Sequence, residues 1–346
     1  MSNIQVTLKT AKSLVAACLA SNLVPLVKGS PGMGKSAIIH EIAREKGLKV
    51  IDLRLSQCDV VDLLGFPMIG TSGKAGYQPM DTFPLATDTV PVGFNGWLLF
   101  LDEITSAPPS IQAASYKLVL DRMVGQHPLH AQCYIVSAGN LETDNAVVEP
   151  MSTALQSRLV HIEVKVDAQE WLEWANKKQF DVRITSYINW KKEAGLFNFN
   201  PNHTECTFAC SRTWEFTNRL IANLSEKDKT MLPLLSGTLG EGTAREFIAF
   251  AKIYEALPRI EDILAKPETH HVPSEVSIQY ALTGALAAVT TAENLDKVVI
   301  YLERMNAEMQ MITFKSIILR GGITLSKNPV FRKWTAKFAD MINEEV

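Results

Sequence analysis

Gly29-Ser30-Pro31-Gly32-Met33-Gly34-Lys35-Ser36, preceded by the apolar run Leu23-Val24-Pro25-Leu26-Val27, decides the fold. The eight residues fit G-x-x-x-x-G-K-[ST] without a gap, and their surroundings give the pattern mechanical meaning. A short strand leads in, a glycine-rich loop follows, and a helix beginning Ala37-Ile38-Ile39-His40-Glu41-Ile42-Ala43 leads out. Backbone N–H groups of such a loop form a concave nest for a phosphate, and the helix N-terminus adds partial positive charge. Read this way, the stretch from Gly29 to Ala37 cradles a nucleotide. The Lys35 ammonium reaches its β- and γ-phosphates, and the Ser36 hydroxyl holds Mg²⁺.

The segments on either side fit a parallel α/β sheet. Residues 7–21 read as an amphipathic helix ahead of the first strand, and Lys49-Val50-Ile51-Asp52-Leu53-Arg54-Leu55 as a second strand after the loop helix. Residues 56–96 are rich in Gly, Pro, Thr and Asp, with one short helix at 59–65 and a hairpin around 71–77. So long a loop-rich stretch inside a compact domain is usually functional. Gly96-Trp97-Leu98-Leu99-Phe100-Leu101-Asp102-Glu103 then reads as a buried parallel strand ending in two carboxylates. Open α/β sheets bind ligands outside the carboxyl ends of their strands, so Asp102 is placed to hold Mg²⁺ and Glu103 to polarise an attacking water. A helix with prolines at its start (108–120), a tight turn at 124–129, a strand at 133–140 ending in Asn140 and a fifth strand at 159–164 complete the pattern.

The alternation of strand and helix stops near 165, and the remainder reads as helices at 168–178, 181–195, 212–224, 241–257, 274–290 and 293–312. Trp171 and Trp174 are spaced as a core-facing pair. The expected organisation is an α/β nucleotide domain at 1–166, a helical lid at 167–230 and a helical C-terminal extension at 231–346.

Bulk composition sets limits. The chain has 346 residues, 47% hydrophobic and 21% charged, as in an ordinary globular protein long enough for about two domains. A net charge of −3 gives no global electrostatic reason to expect a nucleic-acid coat or a membrane surface. Five cysteines form no disulfide framework, no signal peptide stands at the N-terminus and no run reaches the roughly 18 apolar residues of a membrane span. A cytoplasmic protein is the expectation.

Taken together, Gly-Ser-Pro-Gly-Met-Gly-Lys-Ser (29–36), Leu-Leu-Phe-Leu-Asp-Glu-Ile (98–104), Ser-Ala-Gly-Asn (137–140), Ala-Leu-Gln-Ser-Arg-Leu (154–159) and Cys-Ser-Arg-Thr (210–213) resemble the motif series of the AAA+ ATPases. The run Leu101-Asp102-Glu103-Ile104-Thr105-Ser106-Ala107-Pro108-Pro109 is similar to the MoxR branch of that family. The resemblance covers roughly residues 5–225. It implies a P-loop core of five parallel strands with helices on both faces, and Mg²⁺-dependent ATP hydrolysis. By position, Asn140 matches sensor 1, Arg158 an arginine finger serving a neighbouring subunit, and Arg212 sensor 2. The resemblance further implies a homo-oligomeric, usually hexameric, ring that remodels a protein client, commonly beside a von Willebrand factor A-type partner. It also puts a helix-2 insertion at 56–96 and a second hairpin at 125–128. The family usually has Asp-Arg-Phe where this chain has Ser157-Arg158-Leu159.

Other readings rank lower. His203, Cys206 and Cys210 lack a second ligand pair at a zinc spacing and read as free thiols beside a loop histidine. An AAA+ motor acting on nucleic acid is the alternative function. The tail's Lys315, Arg320, Lys327, Arg332, Lys333 and Lys337 are dispersed, however, and read as a solvated face. A P-loop protein that binds without hydrolysing is disfavoured by the retention of Glu103, Asn140 and Arg158 together.

Overall fold

The computed structural model describes residues 4–70, 73–144, 149–202, 205–223, 229–321 and 328–337. The chain divides into two compact units, one of residues 1–166 with 200–203, the other of 167–199 with 204–346.

The first unit runs β1 (Gln5–Val6), α1 (Leu8–Ala20), β2 (Val24–Lys28), α2 (Lys35–Glu45), β3 (Leu48–Arg54) and a short α3 (Val60–Leu64). A hairpin of β4 (Phe66–Ile69) and β5 (Ala75–Gln78) follows, then β6 (Gly96–Asp102) and α4 (Pro109–Asp121). A second hairpin, β7 (Met123–Val124) and β8 (His127–Pro128), leads to β9 (Cys133–Gly139), α5 (Thr153–Gln156) and β10 (Leu159–Val164). Six strands form one parallel sheet in the order β1-β10-β2-β9-β6-β3. Five of them are those read from the sequence. The sixth is β1, whose two residues pair with Glu163 and Val164 at the sheet edge and are too few to show any periodicity.

Parallel strands covered on both faces need apolar side chains in both directions. Trp97 to Leu101 of β6 and Ile135, Val136 and Ala138 of β9 are all buried. On one face Leu26, Leu99, Leu101 and Ile135 meet Ile111, Ala114, Leu118 and Val119 of α4. The opposite face is covered by α1, against β2 and β10, and α2, against β3, β6 and β9. β2 therefore lies at the centre, and the loop that leaves it opens outside the carboxyl ends of its neighbours. The two hairpins are tied to each other and to the loop before β6. His127 Nε2 lies 3.1 Å from the Tyr77 carbonyl, and the Ala86 amide donates to the Pro128 carbonyl at 2.9 Å. Residues 71 and 72, part of the hairpin expected around 71–77, lie outside the described residues.

The second unit is helical: α6 (Ala168–Lys177), α7 (Val182–Lys191), α8 (Glu193–Leu196), α9 (Ser211–Ile221), α10 (Met231–Leu239), α11 (Glu241–Ala251), α12 (Ile260–Ala265), α13 (Val276–Val289), α14 (Leu295–Leu302), α15 (Ala307–Gly321) and α16 (Pro329–Lys337). Helices beyond residue 230 pack within the same unit as those before it, α13 on α7 and α15 on α6. Two expected helices are interrupted. Lys192 takes a left-handed backbone (φ 55°) that ends α7, and 293–312 splits because Asn306 Oδ1 caps α15 by accepting the Met309 amide at 2.9 Å. Trp171 is buried and packs on Phe180 with Trp174, which keeps 37% of its surface exposed. Arg320 has a structural task. Its guanidinium donates to Asn176 Oδ1 (2.7 Å) and the Phe180 carbonyl (2.6 Å), so it is no part of a solvated basic face. Lys327 lies outside the described residues.

Candidate functional site

The phosphate-type loop is built by two glycine requirements. A Cβ at Gly29 would sit 2.4 Å from Val164 Cγ2, so the loop leaves β2 in close contact with the end of β10. Gly34 has φ 105°, a conformation that favours glycine, and it starts α2 without any side-chain cap. The N-terminus of α2 thus has no side-chain cap from Gly34, and a helix N-terminus opening onto a glycine-rich loop favours an anion.

Lys35 is buried and folds back onto the loop. Its Nζ donates to the Gly29 carbonyl, to the Ser30 carbonyl at 3.0 Å and to Asn140 Oδ1 at 3.1 Å. β9 brings Asn140 here because Lys28 pairs with Gly139, so the two strands end side by side. The backbone N–H of Asn140 in turn donates to Thr105 Oγ1 at 2.9 Å.

β6 delivers the carboxylates one strand further along. Ser36 Oγ donates to Asp102 Oδ2 at 3.0 Å, and Asp102 Oδ1 accepts the Glu103 amide at 2.9 Å. Burial pushes the Asp102 carboxyl above its ordinary range, the charges of Asp52 and Glu103 add to this, and the Ser36 and Glu103 hydrogen bonds oppose it. A partly buried carboxylate beside a hydroxyl and further acidic groups is a donor set that suits a hard divalent cation, and Mg²⁺ fits it. Glu103 has a left-handed backbone (φ 58°), which turns the chain out of the sheet, and its carboxylate accepts a hydrogen bond from the Ser56 hydroxyl just past the end of β3.

Lys35, Ser36, Asp102, Glu103 and Asn140 thus come together at the carboxyl ends of β2, β6 and β9. Arg158 does not join them. Leu159 pairs with Val24, so Arg158 stands at the amino ends of the strands. There its Nη1 donates to the Ala154 carbonyl at 2.6 Å and its guanidinium lies 4.7 Å from the centre of the Tyr116 ring. Arg212 is exposed on the first turn of α9, in the second unit. Among the described residues no group of three or more His, Cys, Asp or Glu could hold a metal ion. Cys210 is buried, Cys206 is exposed, and His203 lies outside the described residues.

No family model matches the chain. A 97-residue stretch is 33% identical to Midasin of Dictyostelium discoideum, covering 23% of this chain and 2% of that protein. Solved structures with a similar chain trace include a mutant form of RuvB of Thermotoga maritima (16% identity, 86% of this chain and 88% of that one, TM-score 0.40). NtrX of Brucella abortus in complex with ATP is another (12% identity, 100% of this chain and 70% of that one, TM-score 0.41). These likenesses are distant, so the site's chemistry rests on its own geometry. No helix among the described residues is long and apolar enough to cross a membrane.

Three residues at the site were not singled out by the sequence: Ser56, Thr105 and Asp144. Each acts through a contact across strands or loops. Only knowledge of which strands are neighbours, β3 beside β6 and β2 beside β9, could have pointed to them.

Proposed function

We propose that the chain is an AAA+ ATPase of the MoxR-like kind, which hydrolyses ATP with Mg²⁺ in a ring of identical subunits and uses the energy to remodel a protein partner. The convergence of Lys35, Ser36, Asp102, Glu103 and Asn140 at one end of the sheet carries this reading. The loop and the N-terminus of α2 bind the phosphates, with Lys35 exchanging the loop carbonyls for phosphate oxygens. Ser36 and Asp102 would hold Mg²⁺, which neutralises phosphate charge when bound. Glu103 orients and polarises the attacking water, and Asn140 positions it against the γ-phosphate. Phosphoryl transfer leaves little covalent work to the protein, so such placed charges supply most of the rate. Arg158 completes the neighbouring subunit's site, and Arg212 serves the phosphates of its own.

The Glu103→Gln variant tests the assignment. It is expected to bind ATP with wild-type affinity and to lose nearly all turnover, trapping client on the ATP-bound ring in a pull-down. Wild-type turnover in this variant would refute the role of Glu103. Stimulation of the wild-type ATPase by DNA, lost at high salt, would redirect the reading to a nucleic-acid motor.

A further inference from the structure

We propose that Asp144 is a positioning residue that locks the phosphate loop to the Asn140 segment, so that the two move as one body. The inference rests on reading 29–36 as the nucleotide site, but its geometry stands apart from any activity.

Asp144 is 6% exposed. A carboxylate so deeply buried is costly unless its oxygens are hydrogen-bonded, and here they are shared between two segments. Oδ1 accepts the Ser30 hydroxyl at 2.9 Å, in the phosphate loop, and Oδ2 accepts the Leu141 amide at 3.2 Å, one residue past Asn140. The backbone ladder between β2 and β9 ends with the Gly29 amide on the Gly139 carbonyl at 3.3 Å. Asp144 therefore adds a side-chain rung just beyond the last backbone rung.

Lys35 closes the same circuit from the other side, through the Ser30 carbonyl and Asn140 Oδ1. That closure is temporary under the proposed function, because Lys35 is the group that turns to the phosphates. The Asp144 link does not depend on Lys35. It holds Ser30 against the Asn140 segment while the lysine is engaged elsewhere, and Thr105 Oγ1 accepts the backbone N–H of Asn140. The loop that senses the β-phosphate and the amide that positions water are thereby kept in register.

The role is one of contact rather than charge, which makes a conservative rescue possible. In Asp144→Asn the amide oxygen can accept from the Leu141 amide while the NH₂ donates to Ser30 Oγ, since a hydroxyl both donates and accepts. Asp144→Ala removes both contacts, and Ser30→Ala removes one from the far end.

Hydrogen–deuterium exchange of the full chain without nucleotide tests this. Asp144→Ala is expected to raise exchange about tenfold in peptides covering 29–36 as well as 139–144, the scale of losing one hydrogen bond to a charged group. Ser30→Ala is expected to raise exchange in 139–144, and Asp144→Asn to stay near wild type. If Asp144→Ala loosens 139–144 alone and Ser30→Ala leaves that segment unchanged, Asp144 is only a local turn cap and the inference is overturned. Should Asp144→Ala unfold, Ser30→Ala and Asp144→Asn decide the matter. Failure of the nucleotide reading looks different: wild-type protein that does not bind ATP, with the exchange cross-talk between the two segments intact.

Discussion

Replacing Arg158 by alanine separates binding from hydrolysis, and the structure sets the size of each effect. Val24, the pairing partner of Leu159, is followed by four more strand residues before the loop begins at Gly29. At ~3.3 Å per residue the loop is about 16 Å further along the sheet. Arg158 cannot reach it, so any catalytic work it does is in a neighbour. What the side chain contributes locally is small. An exposed cation–π contact with Tyr116 is worth about 0.5–1 kcal/mol and a hydrogen bond to the Ala154 carbonyl about the same, so Arg158→Ala should lower Tm by only a few degrees. An arginine finger supplied in trans is worth roughly 10³–10⁵ in rate. The variant should therefore bind ATP normally in a fluorescent-nucleotide titration while its phosphate release falls to background.

Mixing gives the sharper result. In a ring assembled from equal amounts of Arg158→Ala and Lys35→Ala subunits, one site in four pairs an intact loop with an intact arginine, so about a quarter of wild-type turnover should return. A mixture as inactive as either parent, or an Arg158→Ala protein that hydrolyses ATP at the wild-type rate, would refute the trans role.

Three other perturbations have clear expectations. Because burial raises the Asp102 carboxyl above its ordinary 3.8, the folded state holds the extra proton and stability falls as pH rises through that window. Mg²⁺ requires the carboxylate, so the rise in Tm on adding Mg²⁺ should grow over the same interval and vanish in Asp102→Asn, as differential scanning fluorimetry would report. Gly29→Ala drives a methyl into Val164 Cγ2 and should cost about 1–3 kcal/mol by urea melt, weakening ATP binding as well; unchanged stability would mean that β10 yields freely. Arg320→Ala strands the acceptors on Asn176 and Phe180 and should cost about 2–4 kcal/mol in the same assay without altering the affinity of any DNA tested.

The parts of the fold that could be read from sequence are those where one chemistry fills a whole element. β6 is a continuous apolar run because both faces of a central parallel strand are covered, and its two carboxylates mark where it emerges. The loop is legible because Gly29, Gly34, Lys35 and Ser36 each have a separate mechanical duty. What stayed hidden depends on neighbours. Ser56 meets Glu103 only because β3 lies beside β6, and Asp144 meets Ser30 across 114 residues of chain. Asn306 was an available helix-start signal inside 293–312, masked by the unbroken apolar period around it. The left-handed backbone at Lys192 had no such signal, since lysine does not favour it.

α4 has a mechanical consequence of its own. Its 13 residues make a rod about 20 Å long. One end is joined through a single turn to Asp102 and Glu103, and the other runs directly into the β7–β8 hairpin. That hairpin is fastened to β4–β5, whose Phe66, Met68 and Ile69 are more than half exposed. A stiff shaft with chemistry at one end and a greasy, outward-facing blade at the other transmits a tilt of a few degrees as a displacement of an ångström or more. If the proposed ATPase function holds, small adjustments around a bound phosphate would reach the surface as a displacement of that blade.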